Sequence, residues 1–255
     1  MEAETRPHNS QRVGSTKNQY CYPLLKNVHL SIPPPTVNGK TSFTYGDFTY
    51  YHYKCDLFDD VGWGCAYRTL QSACSWIRNI LIKKRSIDDK IDMDNNKQEL
   101  KAQSVPDVPT IPEIQKVLVN ISDKPESFFG SKEWIGALEV FFVIDTTYDV
   151  CCKILHIPEN DDIKKYANII WKYFEEFGGL IMMGGDVDAS SKGIAGCHIS
   201  DNQAYFLVID PHFVGKPKSI QELIEKGYVR WQHTSEFIDS SFYNLCLPQI
   251  SAKIF

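Results

Sequence analysis

The chain has 255 residues, 43% apolar and 23% charged, an ordinary globular composition with enough apolar material for a core that leans on neither disulfides nor metal. A net charge of −5 leaves no basic stripe for a non-specific nucleic-acid binder, so no nucleic-acid partner is expected. No apolar run approaches the roughly 18 residues of a membrane span, and the polar stretch from Met1 to Gln19 lacks a signal peptide's apolar core, so the eight cysteines are expected in a reducing compartment: the cytoplasm, or the nucleus that shares its redox state.

Residues 1–20, rich in Thr, Asn, Ser, Gln and Arg, read as a disordered tail. Pro33, Pro34 and Pro35 then stiffen the chain. Residues 42–53 are aromatic and Thr-rich around Gly46-Asp47, which predicts a short hairpin. A helix is expected to open near Cys65, because Ala66, Leu70, Ala73, Cys74, Ile77 and Leu81 form one apolar stripe of helical period. Residues 84–104 are mostly Lys, Asp, Asn, Gln and Glu, and read as a flexible insertion. Within it, Asp92-Met93-Asp94 looks like the start of a calcium loop, but Lys97 and Gln103 stand where Gly and Glu are required.

Pro112 can start a helix running to about Val119, and Ser131 can cap another through Leu138. Phe141-Phe142-Val143-Ile144 is a strand candidate. Asp161 or Asp162 caps a helix with an apolar side from Ile163 to Phe177. Leu180 to Met183, between glycine pairs, reads as a buried strand, and the unbroken run Tyr205 to Ile209 as a strand buried on both faces. Ser219 and Glu222 form a capping box, and Gly227 ends that helix. Nothing divides the chain between residues 21 and 255, so a single α+β domain is expected.

No Cys-x-x-Cys pair occurs, so a structural zinc site is not expected, and neither metal nor cofactor is called for. Cys74, Cys151, Cys152 and Cys246 read as small buried hydrophobes. Cys65 differs. It opens an amphipathic helix directly after Gly62-Trp63-Gly64, where unpaired backbone N–H groups favour a thiolate and the glycines admit another chain closely. Position alone also fits a buried cysteine in a tight loop. Asp210-Pro211-His212 closes the strongest strand. Residues i and i+2 of a strand share a face, so the carboxylate can orient the imidazole, although a turn with an ordinary surface histidine fits too. His52 lies on the strand face opposite Tyr53, and His198 follows Cys197 in an expected loop; neither is singled out for chemistry.

Taken together, Gly62-Trp63-Gly64-Cys65-Ala66-Tyr67-Arg68, Asp210-Pro211-His212 and Phe242-Tyr243-Asn244-Leu245-Cys246-Leu247 resemble the ubiquitin-fold-modifier-specific cysteine proteases. Gly184 to Lys192 and Ser131 to Gly136 are similar to the shorter members of that family. The resemblance runs from about Leu24 to Leu247, and residues 84–104 fall outside it. Autophagy-related cysteine proteases, which process lipid-linked modifiers, share Gly-Trp-Gly-Cys and Asp-Pro-His. The residues after Cys65 and the Tyr243 to Pro248 ending favour the first family.

The resemblance implies a papain-like fold, with the cysteine at the N-terminus of a central helix on a mostly antiparallel sheet. It implies Cys65 as nucleophile, His212 as general base and acid, Asp210 as its partner and Tyr53, twelve residues before Cys65, as an oxyanion donor. Trp63 and Trp134 are candidates to line a slot for a glycine tail, with core packing as the alternative for Trp134. The implied reaction is cleavage after the C-terminal glycine of ubiquitin-fold modifier 1, in its precursor and in its conjugates, by a monomer. A module that binds the modifier without cleaving it is the alternative from another class.

Overall fold

The computed structural model describes Tyr20, residues 22–94 and residues 104–253. The expected tail, apart from Tyr20, lies outside the described residues. Among the described residues seven strands form one sheet in which every pairing is antiparallel: six lie in the order β2 (Cys152–Ile157), β7 (Tyr243–Pro248), β3 (Ile181–Gly185), β4 (Lys192–Ser200), β5 (Gln203–Ile209) and β6 (Val229–His233), and β1 (Lys40–Phe43) pairs with β4.

The first strand, β1 (Lys40–Phe43), pairs with Gly196–Ile199 of a later strand, not with its own continuation. The expected hairpin is therefore absent, and α1 explains why. The amide N–H of Thr49 donates to Ser75 Oγ at 2.9 Å, and that of Tyr51 donates to Ser72 Oγ at 3.0 Å. Two helix serines thus take up donors that a hairpin partner would have satisfied.

Helix α1 runs from Cys65 to Asp94, through residues 84–94 where the composition suggested an insertion. Every residue from Ala66 to Ile77 is buried. The apolar stripe covers one side, and the polar positions between are paired internally. Its large fully buried side chains Trp76, Tyr67, Leu70 and Ile77 each contribute about 1.5–3 kcal/mol relative to exposure. Residues 95–103 lie outside the described residues.

Helix α2 (Ile111–Asn120) starts one residue before Pro112 on a Thr110–Glu113 capping box. Helix α3 (Ala137–Tyr148) replaces both the Ser131-capped helix and the Phe141–Ile144 strand. Its buried positions Ala137, Val140, Val143 and Ile144 carry the helical period, and Glu139 Oε2 accepts the Gly136 N–H at 2.8 Å, closing its first turn. Strand β2 (Cys152–Ile157) follows. The Asp162 cap holds: its Oδ1 accepts the Lys164 N–H, a 3₁₀ turn (Ile163–Tyr166) leads, and α4 (Ala167–Glu176) continues.

Strands β3 (Ile181–Gly185), β4 (Lys192–Ser200) and β5 (Gln203–Ile209) form the centre. Phe206 and Val208 of β5 pack with α4, while Leu207 and Ile209 pack with α1, α2 and α3. The strand expected to be buried on both faces is so. Helix α5 (Ile220–Glu225) and edge strand β6 (Val229–His233) come next, then β7 (Tyr243–Pro248) between β2 and β3. Ser219 Oγ accepts the Glu222 N–H, and Gly227, at φ +79°, ends α5 as expected. His198 lies in β4, buried, its two ring nitrogens 2.7 Å from Thr36 and Thr41 hydroxyls, not in a loop. Among the described residues no helix is long and apolar enough to cross a membrane.

Candidate active site

The loop that delivers Cys65 is built on a buried ionic clamp. Arg68, in the first turn of α1, donates from Nε to Asp60 Oδ2 at 2.8 Å and from Nη2 to Asp60 Oδ1 at 3.0 Å. It also grips Asp56 through Nη1 and Nη2 at 2.8 and 2.7 Å. Gln71 Oε1 accepts a further Nη1 bond at 3.0 Å. The amide N–H groups of Lys54 and Gly64 also donate to Asp60, to Oδ1 and the main-chain oxygen, each at 2.8 Å. Asp60 thus ties both ends of the loop to the helix, one end through its carboxylate and the other through its main-chain oxygen. Gly64 is required here: a Cβ would lie 2.3 Å from Asp60 Oδ2 and 2.5 Å from Asp60 Cβ.

Cys65 is half-buried at the helix start, and the neighbours that act on its thiol are the His212 imidazole, the Ser191 backbone and the Tyr53 hydroxyl. Burial pushes this thiol up, but the His212 bond, the Ser191 N–H, the His212 charge and Tyr53 outweigh it, and the thiol ends below its ordinary range. Asp210 and His212 sit in the turn just beyond β5. Asp210 Oδ1 lies 2.5 Å from His212 Nδ1 and accepts the His212 backbone N–H at 2.9 Å. The pairing expected from strand alternation is made by a turn, in which one carboxylate oxygen holds both backbone and ring.

Burial disfavours the imidazolium, yet the bonds to Asp210 and Cys65 prevail and hold His212 up at about 9. Asp210 is held down: burial opposes its charge, and the His212 contacts together with the Lys192 charge overcome that. A thiol lowered and an imidazole raised, in contact, favour a thiolate–imidazolium pair.

Tyr53 meets the His212 ring edge-to-face at 5.1 Å. Burial, and then the neighbouring Cys65, push its hydroxyl well up, so it stays protonated and able to donate. The Gly62 backbone opposes that rise in part, and Gly62 has φ +86°, a conformation that favours glycine. Trp63 is 6% exposed and packs edge-on against Tyr67 and Phe58. Trp134 is 59% exposed, which removes core packing as its role. Its loop is tied to α1 by the Tyr67 hydroxyl, which donates to Glu133 O at 2.9 Å.

The structure thus brings Cys65, His212, Asp210 and Tyr53 into one cluster. Sequence reasoning missed the Ser191 N–H, because a backbone donor reached across a β3–β4 loop leaves no mark in residue type. It also missed the Asp56–Arg68–Asp60 clamp. The motif order Asp-x₇-Arg hints at that only once the loop is known to fold back on α1.

A family model for peptidase family C78 matches residues 39–246, a span that includes all four clustered residues. The chain is 46% identical over 231 residues to the probable Ufm1-specific protease 1 of Drosophila melanogaster, covering 89% of this chain and 88% of that protein. It is 36% identical over 229 residues to Ufm1-specific protease 1 of Mus musculus, covering 89% of this chain and 94% of that one. The match to Mus musculus Ufm1-specific protease 2, at 34% identity, covers only 44% of that longer protein. The crystal structure of UfSP from C. elegans superposes with a TM-score of 0.68 at 28% identity over 89% of this chain and 37% of that one. That likeness carries the expected papain-like architecture, a helix opening on cysteine against an antiparallel sheet. With that span of the family model and these identities, the chain belongs to peptidase family C78 and is a cysteine peptidase.

Proposed function

We propose that this peptidase cleaves after the C-terminal glycine of ubiquitin-fold modifier 1, maturing its precursor and releasing it from lysines of conjugated proteins. Relatives named as Ufm1-specific proteases support the substrate. The observation that carries the chemistry is the His212–Asp210 pair, 2.5 Å apart, beside a Cys65 thiol that the imidazole lowers.

Cys65 thiolate attacks the glycine carbonyl carbon, and its electron pair forms the C–S bond. The negative charge that develops on oxygen is met by the Tyr53 hydroxyl and the Cys65 backbone N–H. His212 imidazolium gives its proton to the departing amine, leaving a thioester. Neutral His212 then takes a proton from water, which attacks the thioester and returns the thiolate. Trp134 forms the exposed lip, and Trp63 the buried floor, of a slot too narrow for a side chain on the terminal residue. The enzyme works as a monomer in the cytoplasm and nucleus, where its thiol stays reduced.

A modifier carrying an electrophile in place of its terminal carboxylate tests this reading. The intact chain becomes labelled at Cys65 and the Cys65→Ala chain does not, while Cys65→Ala still binds mature modifier and no longer cleaves an extended one. Co-purification without labelling would make the protein an adaptor, and turnover by Cys65→Ala would refute the nucleophile.

A further inference from the structure

Directly behind the cluster lies a histidine that the proposed mechanism does not use. His52 is fully buried. Its ring stacks on Tyr50 at 5.3 Å and Tyr22 at 6.3 Å, and meets Phe213 edge-on at 5.5 Å. Its Nδ1 lies 3.0 Å from the main-chain oxygen of Tyr53 and 3.1 Å from that of Phe213. Both oxygens can only accept, so Nδ1 carries a proton shared between them. On the far side, Nε2 faces the Tyr22 hydroxyl at 3.4 Å. Burial disfavours a second proton on this ring, and the backbone bonds do not fully offset that.

These two oxygens belong to particular residues. One is the carbonyl of the proposed oxyanion donor, and the other belongs to the residue after the proposed general base. Two further bonds join the same pair of segments: the Tyr50 hydroxyl donates to Asp210 O at 2.6 Å, and the Tyr53 N–H donates to Pro211 O at 3.0 Å. The three bonds link 50 to 210, 53 to 211 and 52 to 213, and the Tyr53 and His212 rings meet beside them. Of the three, only the His52 bond is a single side-chain donor serving both segments at once.

We propose that His52 is a positioning residue, whose Nδ1–H fixes the Tyr53 backbone against the backbone that follows His212 and so sets the Tyr53 hydroxyl and the His212 ring around Cys65. This rests on the roles given above to Tyr53 and His212. Losing one oxyanion donor costs about 10²–10³ in rate, so a donor that is mis-set rather than lost costs about tenfold to a hundredfold.

Side-chain geometry supplies the test. An Asn amide N–H can reach the place of a histidine Nδ1–H, whereas Phe keeps the ring and loses the donor. With extended modifier as substrate, His52→Asn is expected to keep kcat within about fivefold, and His52→Phe to lose about tenfold to a hundredfold in kcat with KM changed by less than about threefold. Melting temperatures are recorded alongside. Asn leaves ring volume unfilled and Phe does not, so a merely structural role would favour Phe. A kcat for His52→Phe equal to or above that of His52→Asn overturns the proposal, whatever the melting temperatures.

Should neither variant fold, the ¹⁵N imidazole spectrum of the unaltered protein remains decisive. A neutral His52 protonated at Nδ1 is expected, and protonation at Nε2 alone overturns the proposal. Tyr53→Phe separates the two layers of argument: full turnover by that variant defeats the oxyanion assignment itself. Slow turnover by Tyr53→Phe combined with full turnover by His52→Phe defeats only the positioning role.

Discussion

Replacing Arg68 by Met should destabilise this protein strongly, although Arg68 touches no reacting atom. Its side chain is fully buried between Asp60, also fully buried, and Asp56, 6% exposed. Four guanidinium–carboxylate bonds of 2.7 to 3.0 Å satisfy both acids. The triad as built is not a large net source of stability, because desolvating three charges offsets most of the Coulomb gain. Removing only the cation is another matter. Two carboxylates then stay buried with no counter-charge, which costs about 3–5 kcal/mol of a total near 5–15. Met fills much of the volume, so little of the loss is cavity. Urea unfolding at a common m-value reads the change. The triple variant Arg68→Met, Asp56→Asn, Asp60→Asn should regain a large part of it, since neutral amides are far cheaper to bury. Alkylation of Cys65 by iodoacetamide should slow in the single variant as the 55–64 loop loosens. A loss below about 1 kcal/mol for Arg68→Met, or a triple variant less stable than the single one, would refute the reasoning.

The pH dependence of kcat/KM should be a bell. Activity appears as Cys65 loses its proton below the usual thiol range, and disappears as His212 loses its own near about 9. The same shift has a stability sign: His212 is raised on folding, so its contribution is complete below the ordinary histidine range and is lost as pH rises through about 9. An alkaline limb near neutrality would contradict this. Asp210→Asn should lower kcat by about 10²–10⁴-fold with the melting temperature nearly kept, since the amide retains size and one acceptor but not the charge; the alkaline limb of its pH profile should move down. Gly64→Ala should cost about 1–3 kcal/mol by overpacking, because the Asp60 atoms it meets at 2.3 and 2.5 Å are held by Arg68 and cannot yield; a melting temperature equal to the parent's would show that the loop has slack.

The parts of this molecule that sequence reveals are those in which one strong preference acts alone. The stripe from Ala66 to Ile77 and the run from Tyr205 to Ile209 are such cases: the helix sits where the period indicated and the strand where the unbroken apolar run did. The failures have physical causes. The short run Phe141–Ile144 suits a strand or a helix, and packing of Val140, Val143 and Ile144 against the core selects the helix. Strand β4 is hidden in the sequence by Gly193, Ala195 and Gly196; at Gly196 the small residue has a packing cause, since a Cβ there would lie 3.0 Å from Phe43 and 3.1 Å from Ser42 O. Strands β2 and β6 are the sheet's two ends, only partly covered, and show no clean alternation. The aromatic segment before Tyr53 has strand composition, yet its donors go to Ser72 and Ser75, residues that composition alone would set on a wet helix face.

The titratable groups at the site are displaced in directions that cooperate. Cys65 is lowered, His212 raised and Tyr53 raised, all against or along the same background of burial. Burial alone would give a neutral thiol facing a neutral imidazole, with no nucleophile at neutral pH. What reverses it is the pairing of thiol and imidazole, the Ser191 N–H and Tyr53 hydroxyl acting on the thiol, and one external charge, Asp210, kept ionised by His212 and by the cation of Lys192, itself paired with Asp188 at 2.9 Å. Tyr53 must do the opposite. An ionised phenolate beside the thiolate would repel the oxyanion it is proposed to bind, and burial keeps it a donor across the whole range in which the ion pair exists. The same low-dielectric wall therefore serves two ends. It is overruled where a charge is needed and left unopposed where a proton must stay, and the difference is the turn at Asp210–His212, which supplies a carboxylate to one ring and none to the other.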